Sequence, residues 1–150
     1  MSEHSETIWR THATVNDLNE RAAFLVERMG IRYEAMGPDH LTASMPVDDR
    51  TIQPFGILHG GASAVLIETL GSVAGNLCLD SASERMVVGV EINVNHLRPA
   101  TDGRVTGTVT PKHLGGTIQV WQADVVDQDG RPISTGRLTL AVVKRRARVG

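Results

Sequence analysis

The chain has 150 residues, 41% hydrophobic and 21% charged, which is enough for one domain with a real core. Its formal net charge of −2 gives no global pull toward nucleic acid or a membrane surface. The single cysteine, Cys78, excludes an intrachain disulfide and a multi-cysteine metal site, and the N-terminus has no signal-peptide pattern; together these predict a soluble cytoplasmic protein.

Met1 to His12 is polar and reads as a frayed end, flexible over 1–8, with Ile8 and Trp9 as the residues able to pin it. Thr14 or Asn16 can cap a short helix through Asp17, Leu18 and Glu20, while Ala22 to Arg28 reads equally as its continuation or as a second turn. Ile31–Met36 and Leu41–Val47 are predicted strands around the Gly37-Pro38-Asp39 turn. Asp48 to Phe55 is a loop, because Pro54 bars regular helix there. Gln53 in that loop stands near the entrance of the next element, either aiming its amide at a ligand or lying in water.

Ala62 to Leu79 contains no proline and is too long for a strand. Ala62, Leu66, Leu70, Val73 and Leu77 form an apolar helical stripe, and Glu68, Ser72 and Asn76 form a polar line opposite it. Such an apolar helix is expected inside the fold, and Glu68, Thr69, Ser72, Asn76 and the glycines argue against a membrane span. Four strands follow. Met86–Leu97 alternates with Val88, Val90, Ile92 and Val94 on one face, and Arg104–Thr110 alternates again. Ile118–Val126 starts after the Gly115-Gly116 turn, and Ile133–Val143 follows the Gln128-Asp129-Gly130 turn. The basic residues from Lys144 read as a solvated tail, flexible over 144–150. The chain has no repeat and no linker, so the expectation is one α+β domain over 1–150, a curved antiparallel sheet wrapped around one buried helix.

His59-Gly60-Gly61 opens the long helix. Its first N–H groups have no intrahelical partner and the helix dipole favours negative charge there, so Gly60 can form an oxyanion hole. The alternative is that the glycines only permit a tight entry turn. Glu68 either faces solvent or, if the helix is enclosed, is a functional carboxylate lining a wet site. Gly60 and Glu68 are eight residues apart, about 12 Å along a helix, too far for one chain to place both against a single carbonyl. The spacing predicts a two-fold dimer whose sites each combine Gly60 of one chain with Glu68 of the other. No histidine pair has metal-ligand context, so no metal is expected.

Gln53-x-Phe-Gly-x-x-His59-Gly60-Gly61 followed by Glu68, together with VVGVEINVNHLRPA and GRVTGTVTPKHLGGTIQVWQ, resembles the hotdog-fold acyl-CoA thioesterases over about Trp9 to Val143. The pattern is most similar to the branch containing the Arthrobacter-type 4-hydroxybenzoyl-CoA thioesterase, the 1,4-dihydroxy-2-naphthoyl-CoA hydrolase and the enterobactin-pathway proofreading thioesterase. The resemblance implies that Glu68 is the catalytic carboxylate and that the Gly60 N–H binds the thioester oxygen. It implies that Gln53 and His59 orient the thioester or the attacking water, that Ser72 is a hydroxyl near the carboxylate and that Gly89 lines the acyl site. His96, Leu97, Arg98 and Pro99, with His113, Leu114, Gly115, Gly116, Thr117 and Ile118, match segments that hold the CoA nucleotide. It further implies hydrolysis without a metal or a separate cofactor, CoA being part of the substrate, in a homotetramer built as a dimer of dimers.

Hydrolysis of an aromatic or other compact acyl-CoA is the activity expected from this pattern, with Glu68 as nucleophile or as general base. A non-catalytic acyl-CoA binding module has no evident need for Glu68. A hotdog dehydratase or hydratase would need a partner for His59, and the sequence offers none.

Overall fold

The structure, a computed structural model, describes residues 6–146, so the expectations for residues 1–5 and 147–150 fall outside the described part. Two short helices come first, α1 (Val15–Glu20) and α2 (Leu25–Arg28). They are followed by β1 (Arg32–Met36), β2 (Leu41–Pro46), α3 (Gly60–Leu77), β3 (Arg85–His96), β4 (Arg104–Leu114), β5 (Ile118–Val126) and β6 (Pro132–Lys144). The six strands make one antiparallel sheet in the order β1-β2-β4-β5-β6-β3. This is the expected α+β hotdog architecture, with α3 packed across the sheet. Leu66, Ile67 and Leu70 of the helix are fully buried against sheet residues such as Trp121, Leu138 and Leu140. Each such aliphatic side chain contributes about 1.5–3 kcal/mol of transfer free energy.

The local signals act as the sequence suggests. Thr14, not Asn16, caps α1: its hydroxyl accepts the Asp17 N–H at 3.1 Å and the Asp17 carboxylate accepts the Thr14 N–H at 2.8 Å. Ile8 and Trp9 tie the start of the described chain to the β1–β2 turn, where the Trp9 indole N–H donates to the Gly37 carbonyl at 2.7 Å.

Two strands depart from expectation, both through bulges. On β3 the register with β6 shifts between Gly89 and Glu91, so Val90 is an extra residue. The single insertion flips the first half of the strand relative to the second. Val87, Gly89, Ile92, Val94 and His96 share the partners' buried-face positions, while Val88 and Val90 are 39% and 61% exposed. The expected common face of Val88, Val90, Ile92 and Val94 is therefore corrected. On β4 the strand does not stop at Thr110. Pro111 stays opposite Trp121, past Val109, the last β4 residue that β2 pairs with, and a shift that leaves Lys112 as the extra residue carries the strand to Leu114.

Candidate active site

The N-terminus of α3 is built by the loop before it. His59 is the N-cap, extended at φ −67° and ψ 130°, and its ring Nδ1 accepts the Gly61 N–H at 2.8 Å. The His59 carbonyl accepts the N–H groups of Ala62 and Ser63. Gly60 is left as the one first-turn donor with no acceptor among the described residues. A Cβ built on Gly60 would lie 2.7 Å from Nε2 of His96, so a larger residue at the helix tip presses on that ring. Gln53 is held by the tight loop itself, its side-chain oxygen accepting the Phe55 N–H at 2.6 Å, which leaves the amide NH2 free to donate. Gln53, Gly60, Ser63 and His96–Pro99 line one cleft of about 430 Å³, a size typical of small-molecule sites. Arg98 stands exposed there.

Glu68 lies two turns further along α3. It is half-buried, and its carboxylate packs directly over Gly89 of β3, where any Cβ would collide with it. Ser72, one turn on, donates its hydroxyl to Glu68 Oε1 at 3.3 Å. The carboxylate thus points neither into the core nor freely into water. It sits on the backbone of a strand that has no neighbour on its outer side. Within one chain the donor and the acid are separate stations: Gly60 against His96, Glu68 against Gly89.

A family model described as the thioesterase superfamily matches residues 55–134. The chain belongs to the thioesterase superfamily. It is 50% identical over 137 residues to the 1,4-dihydroxy-2-naphthoyl-CoA hydrolase of Escherichia coli, an alignment covering 91% of this chain and 99% of that one. It is 48% identical to the proofreading thioesterase EntH of Cronobacter turicensis, covering 91% and 98% of the two chains. A thioesterase crystal structure from Haemophilus influenzae superposes with a TM-score of 0.89 at 44% identity, covering 96% of this chain and all of that one. This thioesterase is therefore a thioester hydrolase by family.

The residues expected at the thioesterase's site fall into four groups. Gln53, Gly60 and His96–Pro99 are together in one cleft, and Glu68, Ser72 and Gly89 are together beside the sheet edge. His59 lines a different, shallower depression with Met29, Arg50 and Val65, its ring committed to capping the helix. His113–Ile118 forms the end of the β4–β5 hairpin, where Leu114, Gly115 and Gly116 share a depression with Cys78 and Leu79 beyond the last turn of α3. The two segments expected to hold the nucleotide thus lie toward opposite ends of an 18-residue helix, about 27 Å long, and do not meet in one chain.

Cys78 adds no nucleophile, because burial pushes its thiol up to about 11, with Arg10 pulling weakly the other way. Among the described residues no group of three or more His, Cys, Asp or Glu side chains could hold a metal ion. No helix among them is long and apolar enough to cross a membrane. Sequence reasoning missed Ser63 and Ile133 as cleft walls and the contact of the His96 ring with the helix tip. The alternation of β3 hints at the last of these only once the bulge is known.

Proposed function

We propose that this thioesterase hydrolyses an aromatic acyl-CoA to the free acid and CoA in a site completed by two protomers. The observation carrying the proposal is that one chain holds an unsatisfied N–H, at Gly60, and, apart from it, a carboxylate, Glu68, on the unpaired edge of the sheet. The thioester carbonyl oxygen takes the Gly60 N–H, with the Gln53 amide as second donor, and the developing oxyanion is stabilised by about 3 kcal/mol for a well-aligned donor. Glu68 either attacks the carbonyl carbon, giving an anhydride that water then opens, or takes a proton from the attacking water. In both routes the C–S bond breaks and CoA leaves as thiolate. Single-turnover hydrolysis in ¹⁸O-water tests the first route: label entering Glu68 marks an anhydride that water opens at the Glu68 carboxyl.

The edge strand supports sharing of the site. When two β3 strands pair antiparallel with Ile92 opposite the partner's Val94, each His96 faces the partner's Val90 bulge, and the Gly60 tip approaches the partner's Glu68. A nucleotide gripped by both His96–Pro99 and His113–Ile118 likewise draws them from different protomers, which favours the dimer of dimers. Arg98 suits a CoA phosphate, which guanidinium grips in bidentate fashion. The Escherichia coli relative is named for a naphthoyl-CoA, which supports the aromatic acyl group. Hydrolysis then draws on protein groups and water alone, in the cytoplasm. The test is free-thiol release from a panel of benzoyl-type, naphthoyl-type and straight-chain acyl-CoAs, with Glu68→Ala as control. Aromatic esters are expected to turn over fastest, and no thiol release from any ester overturns the proposal in favour of a binding module.

A further inference from the structure

Asn76 lies two helical turns beyond Glu68 and makes two hydrogen bonds with different elements. Its Nδ2 donates to the Ser72 carbonyl at 2.9 Å, within α3. Its Oδ1 accepts the Val87 N–H at 3.1 Å, on β3. The second bond is the informative one. Val87 stands opposite Val142 of β6, and the Val142 N–H donates to the Thr117 carbonyl on the β5 side at 2.8 Å. The N–H and C=O of a residue within an antiparallel strand point to the same side, so Val87 and Val142 form a non-hydrogen-bonded pair and the Val87 N–H points to the open edge. A side chain from the helix has filled that position. Two residues further along the strand is Gly89, beneath the Glu68 carboxylate, followed at once by the bulge.

We propose that Asn76 is a positioning residue for the reaction. It clamps the outer end of β3 to α3 and so fixes where Gly89 and the bulge pass under Glu68. The proposal rests on the reading of Glu68 as the reacting carboxylate. An Asn that only bonds back to its own helix would need no acceptor aimed at the strand. Here the chain Val87–Asn76–Ser72–Glu68 links the edge backbone to the acid through three contacts. Because Asn76 acts through the β3 backbone at Val87 and Gly89 and touches no reacting atom, its removal is expected to lower kcat and leave KM nearly unchanged.

The test compares Asn76→Ala with Asn76→Asp in the full chain. Asp keeps the acceptor for Val87 but loses the donor to Ser72, and it places a negative charge near the C-terminus of α3, so it is expected to cost stability. Asn76→Ala is expected to speed exchange of the Val87 amide and to shift the ¹³C resonance of the Glu68 carboxyl. It should also lower kcat about tenfold, the effect of one lost hydrogen bond, with KM within about twofold. Asn76→Asp is expected to restore slow Val87 exchange, the Glu68 resonance and most of kcat, even though its melting temperature falls. Wild-type kcat and an unmoved Glu68 resonance in Asn76→Ala overturn the proposal, as does an Asn76→Asp variant no better than Asn76→Ala. If the wild type releases no thiol from any acyl-CoA, the proposed function fails, and the Glu68 resonance still decides on the clamp.

Discussion

The two edges of the sheet are treated differently. At one edge β1 has only five residues, carries a register shift between Tyr33 and Ala35, and is covered by α1. Asn19 of α1 closes it completely at Tyr33, accepting the N–H and donating to the carbonyl, both at 2.9 Å. At the other edge β3 runs for twelve residues with Val88 and Val90 exposed, and Asn76 closes only the Val87 N–H. Short, bulged and covered is how a protein shields an edge; long, apolar and uncovered is how it offers one. Glu68 lies on the offered edge, so under the proposed function the difference marks where a second protomer would complete the site as well as where the sheet ends.

The largest effect is expected from blocking the open edge. Val90→Lys puts a charge on the bulge and is expected to shift the protein to monomer in size-exclusion chromatography with a loss of thioesterase activity of about 100-fold or more, because small misplacements of reacting groups are costly. A fully active Val90→Lys monomer would break the comparison. The closed edge should respond in the opposite sense. Asn19→Ala removes two hydrogen bonds to Tyr33 and is expected to cost about 1–3 kcal/mol in urea unfolding, with kcat and assembly unchanged. The smallest effect sharpens the contrast in dryness. Tyr33, the only tyrosine, is 4% exposed, and burial pushes its phenol up to about 12. A raised folded value favours the neutral form, so its contribution to stability is complete below pH 10 and is lost as pH rises toward 12. Absorbance near 295 nm should show no phenolate until that range, and a titration near pH 10 in the folded protein would contradict it.

Much of this architecture was legible because it follows from fixed repeats. The helix, its glycine tip and the Gly60–Glu68 separation follow from 1.5 Å per residue and one proline-free run. Val88 and Val90 were misread because one inserted residue, invisible in the alternation, reverses a strand face. Asn76 stood in the polar line with Glu68 and Ser72, yet its partner is a backbone N–H that every residue but proline carries, so no side-chain pattern points to it. His59 was singled out by resemblance alone, and its part in capping the helix through Nδ1 needed the structure to be seen.

Complementation tests the shared site most directly. Gly60→Pro removes the N–H proposed to hold the oxyanion, at the first helical position after an extended residue, where the backbone suits proline and the His96 ring must shift, and Glu68→Ala removes the proposed acid. Each variant alone should be inactive. Unfolded together and refolded in equal amounts, they should regain about a quarter of wild-type activity, because half the dimers are mixed and each mixed dimer holds one intact site. Activity that stays at the level of the separate variants, with mixed dimers demonstrably formed, would contradict a site divided between two protomers.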